Sequence, residues 1–264
     1  MKIRRRTIAG LVAALLVPGL VACGSKDGGS GKSDSPADPK EALIASTEAI
    51  NEGNFRFTIT DHESSGEGMV HLPSRSAQML LKFTSEDVTM EMDVIQVDPD
   101  TWVKLKLDLG ELEGLPGFEH FSGDKYMHLD RSKVQENKDL QFFDFDDVDP
   151  ASSKLLIEAI TDVKQAGEGT YSGTLDLSKA TDAGVVSEEI ITALGDQAKA
   201  LEFEAKLDAE GRLTEFTIKV PAAGEVEAHE VKVTYFDYGS ASAPQKPAAS
   251  EVIEAPAEVY EMLK

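Results

Sequence analysis

Apolar and polar positions alternate along most of the chain from residue 55 onward. In F-R-F-T-I, Phe55, Phe57 and Ile59 fall on one side and Arg56, Thr58 and Thr60 on the other. A-Q-M-L-L-K-F aligns Ala77, Met79, Leu81 and Phe83; V-T-M-E-M-D-V aligns Val88, Met90, Met92 and Val94; W-V-K-L-K-L-D-L aligns Val103, Leu105, Leu107 and Leu109. A period of two describes strands with one buried face. Turn residues join them: Glu63-Ser64-Ser65-Gly66, Leu72-Pro73-Ser74 and Asp98-Pro99-Asp100. K-Y-M-H-L-D and E-G-T-Y-S-G-T-L-D-L read as further strands. The alternation returns at Leu201, Phe203, Ala205 and Leu207. Asp208-Ala209-Glu210-Gly211 then turns the chain into L-T-E-F-T-I-K-V, and Val231, Val233 and Tyr235 follow.

Helical spacing appears in three places. Asp38 is placed to cap a helix that opens at Pro39, carries Leu43 and Ile50 on one face and stops at Gly53. A second helix is expected after Asp149-Pro150, with Leu155, Leu156, Ala159 and Ile160 apolar, and a third from Val185 to Leu194. Residues 110 to 124 form a Gly-rich loop whose Leu115, Phe118 and Phe121 are too much apolar surface for a solvated loop, so it either folds over something or covers an opening. The pattern as a whole predicts an α+β fold: a large curved antiparallel sheet, a half-barrel, with about three helices on its concave face. Open sheets of about ten strands tend to curl, and helices inside the curl can leave an apolar cavity.

The first 35 residues follow other rules. Lys2, Arg4, Arg5 and Arg6 precede an apolar run from Ile8 to Val21, too short to span a hydrocarbon core that needs roughly 20 apolar residues. The arrangement is that of a secretory signal. Leu20-Val21-Ala22-Cys23 resembles the bacterial lipobox, in which cleavage precedes the cysteine and its thiol takes a diacylglycerol. G-S-G-K-S at 29 to 33 looks like the tail of a phosphate-binding loop. The first glycine that loop requires falls on Lys26, and the prolines Pro36 and Pro39 follow where a helix would have to start. Residues 24 to 35 are better read as a Gly/Ser linker. The expected organisation is 1–22 signal peptide, 23–38 acylated Cys23 and linker, 39–240 ligand-binding domain and 241–264 an Ala/Pro-rich tail. The protein is expected at the cell membrane, lipid-anchored on the extracytoplasmic face.

Charge and cysteine content narrow the function. Cys23 is the only cysteine, so no internal disulfide and no multi-cysteine zinc site can form. Four of the 26 basic residues lie in 1–22, which holds no acid. The rest of the chain therefore sets 22 Lys+Arg against 48 Asp+Glu, a net charge of −26. That charge argues against a nucleic-acid partner. No G-x-S-x-G elbow is present, and the five histidines, His62, His71, His120, His128 and His229, show no H-E-x-x-H spacing. The acidic run 144–149 lacks the alternation and the glycine of a calcium loop, and Asp149 suits a helix N-terminus. No catalytic residue, cofactor or metal ligand is assigned, and the chain is not expected to be an enzyme.

The methionines and phenylalanines of the strands remain. Methionine fills irregular space and accepts varied partners. Two readings stay open for Phe55, Phe57, Ile59, Met79, Leu81, Phe83, Met90 and Met92, with Leu155, Ile160 and Ile190 from the helices: a plain core, or an adaptable wall for acyl chains.

The layout also resembles the LppX/LprG-like lipoproteins of mycobacteria and their relatives, which share the half-barrel of LolA-type carriers. The echoes are Trp102-Val103-Lys104-Leu105 after Asp98-Pro99-Asp100, Gly123-Asp124-Lys125-Tyr126-Met127, Asp149-Pro150 opening a helix, and Tyr171-Ser172-Gly173-Thr174-Leu175-Asp176. Asp208 to Leu213 and V-T-Y-F-D-Y-G at 233 to 239 also fit. The resemblance covers most of the chain beyond the linker. It implies an apolar cavity that binds an acylated lipid or glycolipid and carries it across the envelope, held to the membrane by the N-terminal acyl anchor, with a possible envelope protein partner. It implies no catalytic residue. The strong acidity and the 110–124 loop depart from it. The alternative is a non-carrier lipoprotein with a filled core that serves as an interaction or sensor module.

Overall fold

In a computed structural model of the chain, the alternating segments assemble into one sheet. The structure describes residues 38–85, 88–108, 123–130, 132–133, 142–224 and 226–262. The signal, the lipobox Cys23, the linker and the Leu115, Phe118 and Phe121 loop lie outside the described residues.

Twelve strands are described: β1 (Asn54–Thr60), β2 (Ser64–His71), β3 (Ser76–Thr84), β4 (Thr89–Val97), β5 (Asp100–Asp108), β6 (Tyr126–Leu129), β7 (Ile160–Gly167), β8 (Thr170–Leu175), β9 (Leu201–Leu207), β10 (Leu213–Val220), β11 (His229–Phe236) and β12 (Val252–Glu254). Their order in the sheet is β12-β6-β5-β4-β3-β2-β1-β11-β10-β9-β8-β7. Every neighbouring pair is antiparallel except β12–β6. The helices are short: α1 (Pro39–Ser46), α2 (Glu48–Asn51), α3 (Ser153–Glu158), α4 (Glu188–Leu194) and α5 (Ala257–Met262). The fold is α+β, with an open, mostly antiparallel sheet.

The first helix starts where its cap predicts: Asp38 accepts a hydrogen bond from Lys40 N, and Pro39 is the first helical residue. The helical stretch is interrupted at Thr47. The Ser46 and Thr47 hydroxyls each donate back to a carbonyl three residues earlier, Leu43 and Ile44, and such back-bonding bends helices. α3 begins at Ser153. Asp149 still serves its N-terminus, because one carboxylate oxygen accepts from Lys154 N at 3.0 Å. The other accepts from the Tyr235 hydroxyl at 2.9 Å, and that hydroxyl also lies 2.7 Å from Ser153 Oγ. Burial, with Asp149 beside it, raises the Tyr235 pKa well above its ordinary value, so the phenol stays a neutral donor. The Lys40 ammonium closes the far end of α3, donating to the carbonyls of Glu158 and Ile160 at 3.0 and 2.7 Å.

Three expectations need correction. Ile160 does not extend a helix. It opens β7, a strand the sequence hides because its side chains are mostly exposed on both faces, as suits an edge with charges and bulges. Ser64, Ser65 and Gly66 are strand, not turn: they open β2, whose glycines and serines carry little strand propensity and which is held between β1 and β3. The Ala/Pro-rich segment is packed over its described residues, 241–262. They supply β12 and α5, bury Val259 and Tyr260, and lay Lys246 over the Trp102 ring, with its ammonium 2.9 Å from Asp100.

Candidate functional site: the apolar face of the sheet

Strand register decides which side chains share a face. Phe55 pairs with Val70, Phe57 with Gly68 and Ile59 with Gly66. Across β3, Val70, Gly68 and Gly66 meet Ala77, Met79 and Leu81. Met79, Leu81 and Phe83 then meet Val94, Met92 and Met90, and these meet Val103, Leu105 and Leu107. On the other side, Phe57 and Ile59 pair with Tyr235 and Val233, and the row continues through Phe216, Ala205 and Tyr171. All eight strand candidates, Phe55, Phe57, Ile59, Met79, Leu81, Phe83, Met90 and Met92, therefore stand on a single face.

The opposite face is largely polar, apart from the buried cross-strand pair Ile95 and Trp102. Glu215 sits between Lys206 and Lys232 at 2.8 and 3.2 Å, Glu204 pairs with Lys219 at 2.6 Å, and Asp93 takes hydrogen bonds from Gln78 and Tyr126. An antiparallel sheet with one solvated face has this character.

The apolar face is covered unevenly. At one end Phe55, Val70, Ala77, Val94 and Val103 have no exposed surface. They share a core with Leu43 and Ile50 of the first helices, Leu156 and Ile157 of α3, Phe143, Phe145 and Val148, and Val259 and Tyr260 of α5. Gln96 ties the 142–148 segment to β4 by donating to the Phe143 carbonyl at 3.0 Å. Toward the other end cover thins. Ile59, Met79, Leu81, Met90 and Leu107 are half-buried, and Phe83 is 40% exposed.

β2 is thin where it passes this region. A Cβ on Gly68 would stand 2.7 Å from the Phe57 ring and closer still to the Gln78 carbonyl, and one on Gly66 would meet Leu81 at 3.1 Å. Two glycines thus let Phe57 and Leu81 close over a strand that has no side chain of its own there.

The row that runs through Leu107, Met90 and Phe83 continues across Ser64. Asp61, whose N–H donates to the Ser64 carbonyl, lies beside it, and the row reaches His229 and its partner Val220. The same rim holds a pocket of about 650 Å³ lined by Ala200, Leu201, Val220, Pro221, Ala228 and His229, with Gln197, Glu202, Lys219 and Glu230 at its polar side. The apolar face is thus least covered at the corner of Leu107, Met90 and Phe83, whereas Val220 and Leu201 beside the pocket are buried.

The three helix candidates do not join that patch. Leu155 is 40% exposed and points into a polar depression shared with Asp144, Asp147, Asp149 and Glu158. Ile160 is buried in β7 opposite Leu175, and Ile190 is buried on α4. Leu107 and Val94 belong to the face but were not singled out from sequence; their place in the alternation is the signal that finds them. Asp61 and His62, adjacent in sequence, meet His229 at the rim. No local pattern could have joined His229 to them, because β1 and β11 are neighbours only through the sheet order. Among the described residues no helix is long and apolar enough to cross a membrane. No protein-family model matches the chain, and no curated protein matches it in sequence.

Proposed function

We propose that the chain is an envelope lipoprotein, anchored through an acylated Cys23, that binds the acyl part of a lipid or glycolipid on the apolar face of its sheet. In this reading the sheet curls into a half-barrel with the helices over its concave side. The linker sets the domain off the membrane, and the ligand enters at the thinly covered rim. One observation carries the reading. A continuous apolar surface of flexible methionines, Leu81, Ile59 and Phe83 is left partly uncovered at one end, while the same face is sealed at the other. Exposed apolar patches of this kind mark binding surfaces. Each methylene buried there contributes about 0.8 kcal/mol, enough for a chain of ten or more carbons to be held without any charged contact. The acidic surface favours neutral or zwitterionic headgroups near the rim over phosphate-rich ones.

The test uses residues 36–264, which carry every described element and the described core, purified from a lysate that contains bacterial membranes. Native and denaturing masses are compared, and bound material is extracted with organic solvent. A stoichiometric lipid that survives purification supports the carrier reading. A clean apo mass, unchanged after incubation with envelope lipids, overturns it. The alternative, an interaction module with a filled core, draws on the sealed end of the face, and it predicts that second outcome. Anchoring is tested separately, by the mass of the membrane-extracted chain and its loss of acylation in Cys23→Ala.

A further inference from the structure

We propose that Asp61, His62 and His229 form a binding site for a divalent d-block cation of the Zn²⁺ class, at the rim where the β1–β2 turn meets the start of β11. The ligand atoms of the three side chains all lie within 4.8 Å of one another. The two imidazole rings lie 4.2 Å apart at 35°. Asp61 Oδ1 is 3.0 Å from His62 Nδ1 and 3.2 Å from His229 Nε2.

The argument rests on His229. Its side chain is 7% exposed. Its Nδ1 lies 2.9 Å from the Glu227 carbonyl oxygen. A carbonyl only accepts, so Nδ1 carries the proton and Nε2 presents its lone pair. That Nε2 is buried and has no hydrogen-bond partner. It faces Asp61 Oδ1, another acceptor. The 3.2 Å separation meets the distance for an ion pair, but an N–H on Nε2 would not line up with the carboxylate, so a proton there leaves the contact poorly used. A buried polar atom without a partner is costly, on the order of 1–3 kcal/mol. Asp61 Oδ1 and His62 Nδ1 share a hydrogen bond at 3.0 Å; a cation placed among the three groups would replace that bond and give His229 Nε2 the partner it lacks.

The surroundings fit a metal site. A ligating histidine ordinarily donates its other ring N–H to a carbonyl or carboxylate, which fixes its tautomer, and the Glu227 carbonyl does this for His229. Asp61 is held from behind: its Oδ1 accepts from the His62 backbone N–H at 2.7 Å, and its own N–H donates to the Ser64 carbonyl. His62 is exposed and can rotate the short way needed to reach ligand spacing, about 3.4 Å for a tetrahedral ion with bonds near 2.1 Å. Water would complete four-coordination. Two imidazoles and one carboxylate select Zn²⁺, Cu²⁺ or Ni²⁺ over Ca²⁺ or Mg²⁺, which take oxygen ligands. The site owes nothing to the lipid reading. A bound ion would pin the β1–β2 turn to β11.

The experiment is calorimetric titration of Zn²⁺ into tag-free, chelator-stripped residues 36–264, with Co²⁺ absorption as a geometric readout. We expect one saturable site, a rise in Tm on loading, and Co²⁺ ligand-field bands of four-coordinate intensity. His62→Ala is at an exposed position, and Asp61→Asn keeps the shape of the turn. Each should leave the far-UV CD spectrum unchanged and weaken Zn²⁺ by about tenfold or more. His229→Gln should abolish binding. Absence of saturable binding at micromolar Zn²⁺ overturns the proposal. So does binding that survives both His62→Ala and Asp61→Asn, or that Ca²⁺ displaces at equal concentration, since either assigns the metal to the acidic surface elsewhere.

Discussion

The two ends of the apolar face are built from the same strands and nearly the same residue types, yet they differ in what covers them. Phe57 on β1 and Phe83 on β3 are both apolar, both on the apolar face of the sheet, and two rows apart in register. The first has no exposed surface and the second is 40% exposed. Alternation places a side chain on a face; only the elements that cross the face decide whether it is core or surface. The first helices, α3 and α5 add Leu43, Ile50, Leu156, Ile157 and Val259 to the core that holds Phe57.

The largest way to break the symmetry is at the sealed end. Phe57→Ala removes a fully buried ring and leaves a cavity, and should cost about 3–5 kcal/mol in urea denaturation. Phe83→Ala should cost less than about 1 kcal/mol, because much of the ring already meets water. If the rim binds lipid, the same change should weaken that binding by the burial energy of part of a ring, roughly tenfold. Equal stability losses at the two positions would erase the distinction between core and rim.

A smaller effect is expected between them. Gly68→Ala pushes a methyl against the Phe57 ring and the Gln78 carbonyl, and the carbonyl belongs to a paired strand that cannot yield freely. Overpacking of this kind costs about 1–3 kcal/mol. Gly66→Ala meets only the end of the Leu81 side chain, which can turn aside, and should cost less. Comparison of the two denaturation midpoints at constant m-value checks the order.

Much of the sheet is legible in the amino-acid pattern alone. Period-two segments mark β1, β3, β4, β5, β9, β10 and β11 with their buried faces, and Asp208 to Gly211 marks a real turn: Gly211 N–H donates to the Asp208 carbonyl at 3.0 Å. What stays hidden has physical reasons. β2 is glycine-rich because its neighbours' side chains fill its space, and β7 is exposed because it is an edge; neither carries an apolar alternation. The β12–α5 segment looks like a tail because short elements held by tertiary contact need little propensity of their own. Of the candidate site, the strand residues are legible and the helix residues are not. α3 is six residues long, and its register turns Leu155 outward while Leu156 and Ile157 go in. The His62–His229 pair depends on β1 lying beside β11, a contact between segments far apart in sequence.

The smallest effect belongs to the polar face, where charge rather than cover is the variable. Glu215 is 20% exposed between Lys206 and Lys232. The hydrogen bond from Lys206 lowers its pKa; burial opposes this, and Lys232 adds to the lowering. A carboxylate whose folded pKa is depressed contributes stability that is present above its unfolded value, about 4.3, and is lost as pH falls through the folded value. Stability measured by urea at pH 7 and again below pH 4 should therefore drop more in the parent chain than in Glu215→Gln. The substitution itself should cost at most about 1 kcal/mol at pH 7, because ion pairs this close to solvent are worth little, and 1 M salt should shrink the difference. A Glu215→Gln variant with an undiminished acid loss would shift the cause to other carboxylates among the 48 acids of this chain. The polar face would then be a solvated surface in which no single pair matters, in contrast to the apolar face, where single residues such as Phe57 do.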